Sequence, residues 1–418
     1  MTVKYCIIGN SAAAVGAVEA IRKNDMENTI TIVSNEPYHV YSRPLIPYLL
    51  SGRMPEEKMY YREKVFYEKN GVSPILGKKV IRVDVKKRRI KLEDNSTLEY
   101  DRLLLATGSK PITLGVKGLE KDGASTFTSY NDVKKILGKI REGSSKALIV
   151  GASLIGLKAA ESLNQLGLDV TVVVRGPRVL RRIVDEASSK IIENHLTQKG
   201  INIITKSTVK KIVGKKVVKA AVLADGRKVE CELVVIAVGV QPNTDLAKNA
   251  GIKINNGIAV NNQMGTNIKW IYAAGDAVET YDLLSGINRM IPIWPNAYRQ
   301  GFVAGSNMAG FSLRYLGGFN MNSIELFGLS TISMGLVNPP NSSYETLTRL
   351  NGEREYKKLV LKDNIIVGAI FTGCIDRAGI ITGLIKDKIN VENFKDATLE
   401  DSFGYTSFPK ELRRERLK

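Results

Sequence analysis

At 418 residues the chain is too long for one ordinary domain, and with 44% hydrophobic residues it can bury several cores, which excludes wholesale disorder. No apolar run approaches the roughly 20 residues that span a bilayer, and three scattered cysteines with two histidines exclude a disulfide framework, an iron–sulfur centre or an all-protein transition-metal site. The net charge of +19 suits acidic partners or a heavily solvated surface, and unpaired thiols suit a cytoplasmic address.

The N-terminal stretch "KYCIIGNSAAAVGAVEAI" begins with a short apolar run. Asn10 and Ser11 interrupt it, so it reads as a strand, a tight turn and a helix rather than as a leader peptide. "TITIVS" supplies a second strand that ends in Asn35 and Glu36. The whole is a βαβ unit with the fingerprint Gly9-x-Ser11-x-x-Ala14. Gly9 permits the turn, a small Ser11 lets backbone approach a pyrophosphate, and Ala14 lets helix and strand pack closely. The free N–H groups of the helix N-terminus then face phosphate, and Glu36 stands where a carboxylate holds ribose hydroxyls. A βαβ turn that binds nothing is the alternative for this copy alone.

Lysine and arginine gather at 78–91, "KKVIRVDVKKRRIK", at 206–219, "KSTVKKIVGKKVVK", and in the C-terminal "KELRRERLK". In the first two, basic and apolar residues alternate as in half-buried strands of a meander. They contain no interleaved aromatics, so nucleic acid is not expected as a partner.

"KALIVGASLIGLKAAESLNQLGLDVTVVVRG" repeats the first unit with Gly151-x-Ser153-x-x-Gly156. Leu154 and Ile155 occupy the positions between Ser153 and Gly156. Two such units on one chain imply two dinucleotide sites, the alternative being an accidental second match in an α/β protein. The strand "VTVVV" ends at Val174, and Arg175 stands where the ribose carboxylate is expected. Without that acid a 2′-phosphate meets no repulsion, and Arg175 can pair with it, which tilts the choice toward NADPH or toward both nicotinamides. A solvated strand end is the other reading of Arg175.

"YDRLLLATGSKP", "CELVVIAVGVQPN" and "IYAAGDAVE" are apolar strands ending in small residues, where backbone passes close to a cofactor. Together with the paired fingerprints, the chain resembles the FAD- and NAD(P)-dependent pyridine nucleotide oxidoreductase family over nearly its whole length. "PYHVYSRPLIPYLLSG" and "IPIWPNAYRQG" are most similar to its rubredoxin reductase, ferredoxin reductase and nitrite reductase flavin-domain branch, with NADH oxidases close by.

The resemblance implies an α/β fold with two Rossmann-like domains, the FAD domain interrupted by the NAD(P) domain. The FAD domain would occupy 1–112 and 240–317, the NAD(P) domain 113–239, and a C-terminal α/β interface domain 318–418. Strand and turn signals in "KLVLKDNIIVGAIFTG" agree with a sheet in that last part.

By motif position Gly9, Asn10, Ser11, Ala12, Ala14, Asn35 and Glu36 would form the ADP half of the FAD site. Arg43 and Pro44 would reach pyrophosphate and flavin, and Val80 would offer its backbone to adenine. Ala106, Thr107 and Gly108 would line the cofactor, and Gly275 and Asp276 would meet the ribityl chain. Ile293 and Trp294 would flank the isoalloxazine. Gly151, Ser153, Leu154, Ile155, Gly156, Val174, Arg175 and Gly239 would line the NAD(P) site. Asp276 also reads as a helix N-cap, and Trp294 as interface core.

Two positions depart from the family. Many relatives place a lysine after the Arg-Pro motif, paired with a glutamate in the second fingerprint helix; here the two positions read Tyr48 and Lys158. The catalytic candidates are therefore Lys158, supporting negative charge on reduced flavin, and Tyr48. A solvent-facing lysine is the alternative for Lys158. Thiol-dependent relatives also carry a cysteine near the Arg-Pro stretch, where this chain has Ser42.

The expected function is an FAD-dependent NAD(P)H oxidoreductase that passes electrons to an acidic ferredoxin- or rubredoxin-type carrier or an iron–sulfur subunit. It would work as a homodimer or within a complex, without a membrane span or a metal. The alternatives are an oxidase reducing dioxygen, a quinone or a dye, and a non-catalytic protein in which FAD is structural.

Overall fold

A computed structural model describes residues 2–416. The basic C-terminal stretch read above ends in Leu417 and Lys418, which lie outside the described residues. The chain divides into two compact units, 1–112 with 240–319 and 113–239 with 320–418.

The first unit is built on a five-stranded parallel sheet. Its strands run Ile271–Ala273, Arg102–Leu105, Lys4–Ile8, Thr29–Ser34, Val72–Leu76 in spatial order. Both faces are covered, as the strand alternation shows. Tyr5 and Ile7 join the core beneath the helices, whereas Cys6 and Ile8 join the core beneath the basic meander. That meander is the antiparallel set Val80–Asp84, Arg89–Leu92, Thr97–Glu99. The first basic cluster alternates because its apolar members, such as Val80, Val83 and Ile90, are buried and its lysines and arginines face water.

Helix Ala12–Asn24 is buried along most of its length because it packs on helix Trp294–Met308 with almost no side chain between them. A Cβ added at Gly301 would stand 1.9 Å from the Ala13 carbonyl oxygen, and one at Gly305 would stand 2.4 Å from that of Ala17. The same pattern recurs at Gly16, 2.3 Å from the Tyr298 oxygen. The two backbones touch, so glycine is required at the crossing.

The second unit opens on a parallel sheet of the same kind. Its order is Asn202–Ile204, Asp169–Val173, Lys146–Val150, Leu233–Ile236, Ala124–Thr126. The second basic cluster lies in its own meander, Val209–Val213, Ala220–Leu223, Lys228–Glu230. The C-terminal part is a five-stranded antiparallel sheet, ordered Met321–Leu326, Leu329–Gly335, Ile365–Thr372, Glu355–Lys362, Glu345–Asn351. Asp363 and Asn364, both with positive φ, close the hairpin between its two longest strands. Among the described residues no helix is long and apolar enough to cross a membrane.

Candidate functional site

Each unit presents the loop after the central strand of its parallel sheet, Lys4–Ile8 or Lys146–Val150, and the two loops are built alike. Gly9 has φ +118°, and a Cβ there would sit 2.1 Å from the carbonyl oxygen of Ala106, at the end of the neighbouring strand. Gly151 has φ +107°, and its Cβ would sit 2.5 Å from the oxygen of Ala237. Both loops thus press glycine backbone against the end of the adjacent parallel strand. The third fingerprint position is equally tight: Ala14 is fully buried, and a Cβ on Gly156 would stand 2.1 Å from the Gly151 oxygen.

The serines at the middle position behave differently. Ser153 Oγ donates to the Ala237 carbonyl at 3.0 Å and accepts from the Gly156 N–H, capping helix Leu154–Gln165. Ser11 makes no side-chain cap, and the first turn of helix Ala12–Asn24 contains no acid. Its leading N–H groups are therefore open to an anion, as a diphosphate requires.

At the end of strand Thr29–Ser34, Asn35 is exposed and Glu36 is half-buried. The Glu36 carboxylate accepts from the Tyr41 hydroxyl at 3.1 Å and pairs with Arg43, whose guanidinium also lies 5.2 Å from the Tyr41 ring centre. Pro44 follows at the surface. The Asn10 amide donates to the Tyr38 carbonyl and accepts from the Tyr67 hydroxyl, which in turn receives the Val40 N–H. Asn10 thus braces the loop through its side chain. Val80 is buried at the start of its strand, in one core with Val33.

The chain leaves strand Arg102–Leu105 through Ala106, Thr107 and Gly108. Thr107 donates to the Asn243 carbonyl at 2.7 Å, and Gly108 has φ +61° with no heavy atom within 4 Å of an added Cβ. Beyond strand Ile271–Ala273 lie Gly275, with φ +88°, and Asp276. Asp276 leads into strand Val278–Tyr281 and caps no helix, so that alternative is corrected. Burial pushes the Asp276 carboxyl above its ordinary value, against the opposing pull of Arg43 and of the Ser109 hydroxyl.

The loop is held by Gln300, fully buried, whose Oε1 accepts the Gly275 N–H at 2.8 Å and whose amide donates to Thr280 at 3.2 Å. Gln300 lies in the quoted "IPIWPNAYRQG", but nothing in that string says which side chain reaches back to residue 275. Ile293 precedes the helix, and Trp294 packs against the core with its ring 5.0 Å from Tyr61, edge to face.

These residues fit FAD. Open helix N–H groups suit a diphosphate, and a desolvated carboxyl with few donors suits the hydroxyls of a ribityl chain. The pKa shift gives a sign that can be tested. Because the folded-state pKa of Asp276 is raised, ionising it costs stability once pH climbs past the ordinary value of 3.8. Asp276→Asn is therefore expected to raise the melting temperature of flavin-free protein at neutral pH while weakening its hold on FAD. Thermal melts of the apo-protein and a flavin titration check both halves.

In the second unit the strand closes at Val173, one residue earlier than the pattern suggests, and the Val174 N–H still bonds the Ile204 carbonyl. Arg175 follows, exposed, with no acid at this strand end. Leu154 is half-buried, Ile155 is among the exposed large apolar residues, and Gly239 has φ +118°.

Lys158 is not the solvent-facing lysine of the alternative reading. Its side chain is 12% exposed, paired with Glu161 and bonded to the Glu325 carbonyl at 3.0 Å. Glu161, 2% exposed, accepts the N–H of Phe327 at 2.7 Å, at the tip of the first C-terminal hairpin. Tyr48 sits half-buried in helix Ile46–Leu50, with Arg53 6.0 Å from its ring centre. Cys6 and Cys231 are buried, and burial pushes both thiols up to about 12. Cys374 is half-exposed in the C-terminal part.

The model of the pyridine nucleotide-disulphide oxidoreductase family matches residues 3–301, and that of the rubredoxin NAD+ reductase C-terminal domain matches 321–389. The chain is 34% identical to an NADH oxidase from Methanocaldococcus jannaschii over 88% of its own length and 87% of that protein's. It is 30% identical to a nitrite reductase [NAD(P)H] from Bacillus subtilis, but spans only 47% of it. The solved structure of an NAD-dependent persulfide reductase from A. fulgidus superposes with a TM-score of 0.89 at 29% identity, covering 96% of this chain and 80% of that one.

Proposed function

Because the chain belongs to the pyridine nucleotide-disulphide oxidoreductase family, and is by that membership an NAD(P)H oxidoreductase, we propose that it uses FAD in its first unit to move electrons from NAD(P)H, bound in its second, to an acceptor outside the chain. The observation that carries this reading is the repeated loop, Gly9 on Ala106 and Gly151 on Ala237, at two separate strand ends. FAD supplies two-electron acceptance from hydride and release of electrons singly or in pairs.

The chain's residues supply the rest. The open turn at Ala12 would hold the diphosphate, and Gln300 fixes the loop whose Asp276 would bind the ribityl hydroxyls. Arg43 and Glu36, paired with each other, would hold the ribose–diphosphate region, and Trp294 and Ile293 would flank the ring. Tyr48 and Lys158 keep their proposed part at the reacting ring, Lys158 by countering its negative charge.

A sulfur relay is disfavoured. The persulfide reductase is named for sulfur chemistry, yet the segment Tyr41–Leu45 here offers only Ser42, and the thiols of Cys6 and Cys231 are desolvated. The acceptor we favour is an acidic electron carrier, ferredoxin- or rubredoxin-like, or an iron–sulfur partner subunit. The match to a rubredoxin reductase C-terminal domain and the +19 charge support it. A homodimer or a larger complex in the cytoplasm completes the proposal. The second reading, an oxidase reducing dioxygen, a quinone or a dye, draws on the NADH oxidase, which matches over nearly its full length.

Anaerobic mixing with NADH or NADPH is expected to bleach the yellow flavin band; a band that persists with both sinks the enzyme reading. Slow recolouring in air, with fast and salt-sensitive recolouring by an acidic ferredoxin, marks a carrier reductase. Fast recolouring in air marks the oxidase. Arg175→Gln is expected to lower kcat/KM for NADPH by about tenfold, roughly 1.4 kcal/mol, while leaving that for NADH nearly unchanged. Equal losses with both nicotinamides would remove Arg175 from the 2′-phosphate.

A further inference from the structure

The basic cluster at 78–91 contains no aromatic residue of its own, but the fold brings one to it. Trp270, at the start of strand Ile271–Ala273, is half-exposed and carries φ +73°. A bulky residue in the left-handed region is a genuine outlier, and such strain persists only where the surroundings impose it. Around this indole gather cations from three separate segments. The Arg102 guanidinium lies 3.7 Å from the ring centre, the Lys269 ammonium 4.3 Å and the Arg88 guanidinium 5.9 Å. Arg88 is itself in the left-handed region, with φ +48°.

The charges around the ring do not balance. Arg88 reaches Asp101 only at 4.0 Å, Arg102 donates to the Asp101 carbonyl rather than to a carboxylate, and Lys269 has no carboxylate partner among the described residues. Lys86 and Lys87, on the adjoining turn, add two more exposed positive charges. Cation–π attraction offsets part of the mutual repulsion, about 0.5–1 kcal/mol for each exposed cation, and an anion seated among them would remove the remainder. Two guanidiniums and an ammonium around one plane are the donor set that takes phosphate oxygens.

We propose that Arg88, Arg102 and Lys269, ordered on Trp270, form a binding site for a phosphate group, separate from the dinucleotide loop of the first unit. The separation follows from the strand itself: Trp270 stands before its first residue, whereas Gly275 and Asp276 follow its last. The phosphate belongs either to a small soluble molecule or to a lipid headgroup.

The test uses the full chain with its flavin. The sequence has two tryptophans, so the part of the emission response that a Trp270→Phe control abolishes reports this site. Pyrophosphate at constant ionic strength is expected to change that emission saturably, and Arg102→Gln or Lys269→Gln to weaken the apparent affinity by about tenfold each. Both variants should keep the flavin band and the melting temperature of the parent, which separates a lost ligand contact from a lost fold. Vesicles of phosphatidylcholine with and without phosphatidylglycerol form the second arm; a response to phosphatidylglycerol alone, with none to pyrophosphate, assigns the phosphate to a lipid. Emission unmoved by either probe up to millimolar concentrations, or moved equally in Arg102→Gln and Lys269→Gln, overturns the proposal.

Discussion

Gly9→Ala is expected to yield protein that purifies without its yellow colour. The residue has φ +118°, and the added methyl would lie 2.1 Å from the Ala106 oxygen and 2.8 Å from its carbonyl carbon. Both obstacles are backbone, so no side-chain rotation relieves them. Either the strand ends Lys4–Ile8 and Arg102–Leu105 part, or the loop moves away from the helix N-terminus. Overpacking and a forced left-handed conformation together cost about 3 kcal/mol or more, and the displaced loop is the one proposed to carry the diphosphate. Flavin affinity should fall by more than about a hundredfold, roughly 2.8 kcal/mol. Gly226→Ala is the matched control: its φ is +90°, yet an added Cβ meets nothing within 4 Å. It should cost about 1 kcal/mol and leave flavin binding alone. Equal effects at the two glycines would show that conformation, rather than the close approach of strands, limits the loop.

Lys158→Met carries the second large effect, and it acts on two properties. Removing the ammonium leaves Glu161, 2% exposed, without its cationic partner, and frees the Glu325 carbonyl. Breaking a buried pair from one side costs about 3–5 kcal/mol. The loss should concentrate at the hairpin tip, where Phe327, with φ +48°, is held by Glu161 and flanked by His195, whose ring bonds the Leu326 carbonyl at 3.1 Å. The double variant Lys158→Met with Glu161→Gln removes the stranded charge and is expected to recover most of the stability. Stopped-flow reduction of the flavin by nicotinamide then separates the roles. If Lys158 supports the reduced flavin, reduction stays slow in the double variant after stability has returned. A rate that recovers with stability would leave the lysine a purely structural task.

The sheets and both loops were readable in the sequence because they rest on local rules. An apolar run, a glycine that must turn and a small residue that must pack define a fingerprint within a few positions, and two of them reinforce each other. The alternating basic stretches resolved into meanders for the same reason. What stayed hidden depends on partners far along the chain. Gln300 reaches back to Gly275, and Asn10 is tied to Tyr67; each pairing joins segments whose spacing carries no signal. Asp276 showed the limit of a local rule, since an acid after glycine suits a helix cap equally well until the next residues form a strand. Lys158 showed another. Its partner Glu161, one turn along, was visible, but the hairpin that uses both lies about 165 residues away.

The touching backbones of helices Ala12–Asn24 and Trp294–Met308 also act as a ruler. Gly301 faces Ala13 and Gly305 faces Ala17, so the helices run the same way in fixed register. Trp294 precedes Gly301 by seven residues, and at 1.5 Å per residue it overhangs the first turn of the other helix by about 10 Å. A slip of one residue would move the indole by about 1.5 Å relative to the proposed diphosphate cradle. With almost no side chain at the crossing to repack, such a slip has nothing to cushion it, and the span between the two places proposed to hold a cofactor's ends is gauged by bare backbone.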